Sequence, residues 1–244
     1  LSETAREAVL HRARSYPYLA PPDSYCWRDG AVEPFDPADR DGRTPVLAYG
    51  SNRTPERLAQ KFASLGTHTI PVERAVLRDF DVVYSAHITS YGAIPAMLQH
   101  CPGATVEVAV TWLDDAQLPI MHDSEMAAAN YVYARLETVS LQLGSGGGLS
   151  SVQCYVGRHG HFVGSHGGAV PLLALTGSRR LGTPMATGEV LEEIRERVAP
   201  KADPDEFILR LVADSDYRRA VTKTISENAR PFGYPITVLE DRSQ

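Results

Sequence analysis

The 244-residue chain is poor in cysteine, and its three, Cys26, Cys101 and Cys154, lie far apart with no Cys-x-x-Cys spacing. An odd, scattered set argues against a disulfide framework and against a cysteine-based structural zinc site; reduced thiols in a cytoplasm fit it best. An excess of positive charge is also missing: 24 Lys and Arg stand against 30 Asp and Glu, a formal net charge of −6. Nothing in that balance favours nucleic acid or an anionic membrane surface as partner, and a small or neutral one is expected. No apolar run approaches the roughly 20 residues of a membrane-spanning helix, and the opening stretch LSETAREAVLHRARSY is amphipathic and charged rather than signal-like, so a soluble protein is expected. Low-complexity tracts and internal repeats are absent. What remains is an ordinary globular composition, long enough to bury roughly 70 to 75% of the surface its unfolded chain would expose.

Thr4 and Glu7 have capping-box spacing, and Ala5, Ala8, Val9 and Ala13 recur at helical intervals, which predicts a helix over 5–14. Residues 15–45 are rich in Pro and Asp but carry Tyr16, Tyr18, Tyr25, Trp27 and Phe35, aromatics that want burial, so they read as an ordered arm. From Val46 short apolar runs bounded by turn residues predict strands near 46–49, 72–84, 93–98, 105–113, 131–138, 151–157 and 169–175. TVEVAVTWL and YVYARLET show the alternation of half-buried strands. Residues 114–130 read as a helix that Pro119 ends or restarts. Helices are predicted again at 186–198, 204–213 (Asp203 as N-cap, Pro204 in the first turn) and 215–228. Strands first and helices later indicate an α+β organisation: an arm at 1–45, a domain at 46–198 and a helical extension at 199–244 packed on it.

The stretch PVLAYGSNRTPERLAQKF, residues 45–62, joins a brief strand to a strongly marked helix start at Thr54, Pro55 and Glu56. Gly50, Ser51, Asn52 and Arg53 fill the gap. Such a turn has two readings: Ser51 and Asn52 close it through side-chain to backbone bonds, or its N–H groups converge on an anion or polarised carbonyl that Gly50 lets approach.

AYGSN after a short apolar strand resembles the substrate loop of the γ-glutamylcyclotransferase family. VLRDFDVVYS, YGAIPAMLQHCPGATVEVAVTWL, DDAQLPIMHDSEMAAANYVYARLE and LGTPMATGEVLEEIRERV follow in an order similar to that family's, over roughly residues 46–198. The resemblance implies a mixed, partly closed β-barrel with flanking helices, here with a helical C-terminal extension. It also implies conversion of a γ-glutamyl amine, amino acid or peptide to 5-oxoproline without metal or cofactor. Carried over by position, Tyr49, Gly50, Ser51 and Asn52 are the substrate-binding residues and Glu125 the general acid/base. A partly buried glutamate with its pKa raised by desolvation suits that role. Two departures stand out: Met126 follows Glu125 where the family has Gly, which makes Asp123 the alternative carboxylate, and Met185 replaces a Ser. Arg53, near Glu56 and Arg57, reads as a solvated surface charge and is left out of the catalytic set.

Rival constellations are thinner. His159, His161 and His166 in GRHGHFVGSHGG invite a metal, although no Cys or carboxylate lies within that stretch. Val163 replaces the first Gly of a nucleophile elbow, and Thr183 stands where a phosphate loop needs Lys. A non-enzymatic binding module on the same fold is the remaining alternative, and its discriminating feature is whether Glu125 reaches the space in front of residues 50–52.

Overall fold

A computed structural model describes residues 2–66, 68–127 and 129–242. Leu1, Ser243 and Gln244, at the ends of the predicted arm and extension, lie outside the described residues, as do Thr67 and Ala128, the latter within the predicted 114–130 helix. In chain order the elements are α1 (Glu3–Arg14), β1 (Tyr25–Arg28), β2 (Ala31–Pro34), β3 (Thr44–Ala48), α2 (Pro55–Lys61), β4 (Thr69–Tyr84), β5 (Ala96–Leu113), α3 (Gln117–Met126) and β6 (Tyr131–Leu136). After these come β7 (Leu141–Leu143), β8 (Gly148–Leu149), β9 (Val152–Gly157), β10 (Gly177–Ser178), α4 (Thr187–Val198), α5 (Pro204–Ala213), α6 (Ser215–Ser226) and β11 (Ile236–Glu240).

The α+β character is as expected, and the strands form one mixed sheet in the order β11-β6-β9-β3-β5-β4-β1-β2, with β7, β8 and β10 attached beside this path. Only the β3–β9 pairing is parallel among those described. The path has two distinct ends, β11 and β2, so the sheet is open and the closure that the expected barrel requires is missing. No described helix is long and apolar enough to cross a membrane.

Alternation along the central strands explains how both faces are covered. Val106, Val108, Val110 and Trp112 of β5 join a core shared with α4, α5 and α6, whereas Ala109 and Leu113 point the other way, into a core with Leu58 and Phe62 of the α2 region and Met121 of α3. Leu47 and Tyr49 follow the first set, Val46 and Ala48 the second. Burying each large apolar side chain contributes about 1.5–3 kcal/mol, so both faces are firmly held.

Several local expectations are corrected. Ser2, whose hydroxyl accepts from Ala5 N at 3.3 Å, caps α1 in place of Thr4, because the helix starts two residues earlier. The two strands predicted at 93–98 and 105–113 form one continuous β5. Between the pairs Phe80–His100 and Arg78–Thr105, Cys101, Pro102, Gly103 and Ala104 bulge opposite the single Asp79. Asp79 (φ 63°) accepts from Gly103 N at 2.7 Å, and Gly103 (φ 81°) supplies the left-handed backbone the bulge needs. Pro119 sits in the first turn of α3, where its missing N–H costs nothing, so it neither ends nor restarts the helix. No strand forms at 169–175; Pro171 and Leu172 make only isolated bridges to Val83 and Met185. The C-terminal segment ends in a strand, β11, added antiparallel to β6, which helical periodicity upstream did not foreshadow.

Candidate functional site

Strand β3 is held between β5 and β9 and delivers Tyr49 to the sheet's end. Residues 51–53 then make one tight helical turn before α2, whose start is built as the sequence predicts. Thr54 Oγ1 accepts from Arg57 N at 3.4 Å and donates to Ser51 O at 2.9 Å, and Pro55 occupies the first helical position. Ser51 and Asn52 thus need no side-chain bond to close the turn, and among the described residues nothing accepts from their backbone N–H groups.

In front of this turn lies a cavity of about 750 Å³, lined by Tyr49, Gly50, Ser51, Asn52 and Glu125 together. Every residue assigned by position to the site is therefore in one place. Asn52 Nδ2 donates to Glu125 Oε1 at 3.3 Å, while Asn52 Oδ1 is buried without a partner. The Tyr49 hydroxyl donates to Tyr155 O, and burial holds its phenol well above the ordinary tyrosine pKa. Asp123, the alternative carboxylate, faces elsewhere: it pairs with Arg242 at 2.5 Å and is largely exposed. Arg53 also turns away, into a separate cleft beside Arg74 and Glu107.

Gly50 is required by space, not by its φ of −122°. A Cβ there would stand 2.5 Å from the Tyr16 hydroxyl and 3.4 Å from Ala96 Cβ. Tyr16 cannot step aside: its hydroxyl accepts from Ala96 N at 3.0 Å, and its carbonyl accepts from Thr187 Oγ1 at 2.6 Å. The N-terminal arm therefore forms part of the site, which the composition of residues 15–45 did not indicate.

The electrostatics of Glu125 depart from expectation. Burial alone would raise its pKa, yet the charge and hydrogen bond of Lys61, the Asn52 amide and nearby Arg57 together hold it below the ordinary carboxylate value. Lys61, the last residue of α2, is itself almost wholly buried; burial lowers its pKa, and Glu125 opposes that. The expected neutral-range acid is thus replaced by the ionised half of a buried ion pair. Lys61 was not anticipated, although a signal exists: Leu58, Lys61, Phe62 and Leu65 have the spacing of one apolar helix face, with a cation at a core position.

The histidine-rich stretch divides. His159 Nε2 hydrogen-bonds Asn130 Oδ1 at 2.9 Å and lines the cavity, with its ring tilted against His87 at 4.6 Å between centroids. His161 instead contacts Gln99 at 2.9 Å. Among the described residues no three His, Cys, Asp or Glu side chains gather as metal ligation would need. His87 is buried, donates or accepts at Ser85 Oγ (3.0 Å), and burial followed by the neighbouring His159 pushes its pKa down to about 3.

No family model matches the chain, and no curated protein sequence matches it. Solved structures do show similarity. A γ-glutamyl cyclotransferase shares 18% identity over 81% of this chain and 94% of its own, with a TM-score of 0.38. An uncharacterised human protein shares 18% over 82% and 95%, at 0.39. YkqA from Bacillus subtilis shares 14% over 80% and 58%, at 0.36.

Proposed function

We propose that the cavity binds a γ-glutamyl compound and cyclises it to 5-oxoproline, releasing the amine. The α-nitrogen bonds to the γ-carbonyl carbon as that carbon's bond to the leaving nitrogen breaks. Two protons leave the α-ammonium and two reach the leaving nitrogen, which departs as an ammonium, so no water or redox partner is consumed. Because the nucleophile is tethered to its target, holding the substrate folded lowers much of the barrier.

The observation that carries this reading is the 3.3 Å contact between Asn52 and Glu125 at the cavity wall. It brings a carboxylate to the wall that the Ser51–Asn52 turn also forms, and among the described residues nothing accepts from the N–H groups of that turn. The carboxylate suits the α-ammonium; the N–H groups of Ser51 and Asn52 suit the oxyanion of the tetrahedral intermediate. Glu125, already ionised, takes the proton and passes it on.

Purified protein offered a panel of γ-glutamyl amino acids, peptides and amines should generate 5-oxoproline, read by mass spectrometry. Glu125→Gln should lower the rate about 10² to 10⁴-fold. Asp123→Asn should leave it unchanged. The Lys61–Glu125 pair favours one other reading, a binding module in which Glu125 is a fixed counter-ion for an ammonium. Saturable binding of a γ-glutamyl ligand with no 5-oxoproline at any pH would install that reading instead.

A further inference from the structure

Tyr16 reaches the cavity from the N-terminal arm, outside the stretch that resembles the cyclotransferases. Helix α1 holds it there: Leu10 and Ala13 are buried in the core, and Arg14 pairs with Asp205 of α5 at 2.6 Å. The Tyr16 carbonyl is bonded to Thr187 of α4, and its ring packs edge-on against Tyr18, 5.8 Å between centroids. The residue is only 6% exposed, yet it lines the same cavity as Gly50, Ser51, Asn52 and Glu125.

The bonding of its hydroxyl is half complete. The oxygen accepts from Ala96 N at 3.0 Å, but among the described residues nothing accepts the hydroxyl proton. Tyr49 and Tyr155, which also line the cavity, are committed: Tyr49 donates to Tyr155 O, and the Tyr155 hydroxyl lies 2.8 Å from His122 Nδ1. A buried donor left without an acceptor costs about 1–3 kcal/mol, so the Tyr16 hydroxyl calls for one, and the open space beside it is the cavity.

The hydroxyl oxygen also stands where a Gly50 side chain would be, 2.5 Å from the position of a Cβ. The turn gives up a side chain and receives a phenol from the arm, beside the N–H groups of Ser51 and Asn52. Burial raises the Tyr16 pKa well above the ordinary tyrosine value, which keeps the hydroxyl protonated and able to donate.

Resting on the proposed cyclisation, we infer that Tyr16 is a further catalytic residue: with the Ser51 and Asn52 N–H groups, its hydroxyl donates to the oxyanion that forms when the α-nitrogen adds to the γ-carbonyl carbon. No proton changes hands at Tyr16. The hydrogen bond strengthens as that oxygen gains charge and relaxes as the leaving nitrogen departs.

The test compares wild type, Tyr16→Phe and full-length protein carrying 3-fluorotyrosine at position 16. γ-Glutamylalanine and γ-glutamyl-p-nitroanilide are the substrates, and 5-oxoproline is read by mass spectrometry. Tyr16→Phe should lower kcat about 10²-fold while KM changes less than about 3-fold, the pattern of an interaction made only in the transition state. Urea unfolding gives the folded fraction of each protein, so the loss is counted per folded molecule. Fluorine makes the hydroxyl a stronger donor and a weaker acceptor, so 3-fluorotyrosine should give a kcat equal to or above that of wild type. A hydroxyl that serves only to hold Ala96 N would give a lower one. If wild type makes 5-oxoproline, the Tyr16 role is overturned and the cyclisation stands on any of three results: kcat within about 3-fold of wild type in Tyr16→Phe, a loss confined to KM, or a fall in kcat with 3-fluorotyrosine. No 5-oxoproline from wild type with either substrate would remove the cyclisation itself, and the Tyr16 role with it.

Discussion

Lys61, at the end of α2, forms an ion pair with Glu125, near the end of α3, and only Glu125 of the two lines the cavity. The lysine sits behind the carboxylate, out of substrate's reach, with Met121 Sδ 3.3 Å from its Nζ. Its charge decides the protonation state in which Glu125 meets a ligand.

Removing that charge has a predictable sign. In Lys61→Met, only the Asn52 amide and Arg57 remain to oppose burial, so the Glu125 pKa rises, and the ionised form needed to accept a proton appears only at higher pH. The acid limb of the kcat/KM profile should sit below the ordinary carboxylate range in wild type and move upward in the variant. A profile that keeps its acid limb while losing only amplitude would reduce Lys61 to a packing residue.

Gly50→Ala should destabilise the protein without introducing backbone strain. The new methyl meets the Tyr16 hydroxyl at 2.5 Å, and overpacking of this kind costs about 1–3 kcal/mol. Tyr16→Phe removes the obstructing oxygen, so Gly50→Ala/Tyr16→Phe should be less destabilised than the sum of the two single changes, as read by urea unfolding. Additivity would mean that the two residues do not meet.

The site's first components were legible because their signals are local. A glycine turn between an apolar run and Thr54-Pro55 places a strand end against a helix start whatever the rest of the chain does, and residues 49–52 follow. Glu125 came from the order of elements in the resemblance, and spacing alone could not choose it over Asp123, which pairs with Arg242 on the far side of the helix end. Tyr16 and His87 were illegible for another reason. Their places depend on long-range closure of an arm and a loop onto one cavity, and composition holds no record of such contacts. The joined β5 illustrates the same limit: Pro102-Gly103 is turn chemistry, and only the pairing of Asp79 with Gly103 converts it into a bulge.

Acid sensitivity should follow His87. Its folded pKa of about 3 lies below the 6.5 of an unperturbed imidazole, so the unfolded chain takes up the proton first. The stabilisation from keeping His87 neutral is complete above pH 6.5 and is lost progressively as pH falls toward 3. His159, lowered by burial, acts in the same direction. Thermal midpoints measured between pH 4 and 8 should fall on the acid side in wild type and fall less in His87→Asn. Parallel curves would assign the acid loss to other groups.

Arg180 tests whether the loop that nearly matches a phosphate motif has a structural task. Its Nε lies 2.5 Å from Asp81 Oδ1, and its guanidinium also donates to Leu175 O at 2.7 Å and Val82 O at 3.1 Å, which ties residues 172–181 to β4. Asp81 is fully buried, so Arg180→Leu strands its charge and should cost about 3–5 kcal/mol in urea unfolding. Asp81→Asn/Arg180→Leu removes that charge but keeps only one of the two acceptors, because Val82 N and Leu181 N bond different carboxylate oxygens, at 2.7 and 2.9 Å; part, not all, of the loss should return. A cost below about 1 kcal/mol for Arg180→Leu would place the pair in the range of exposed ion pairs and leave the loop's attachment to its apolar contacts.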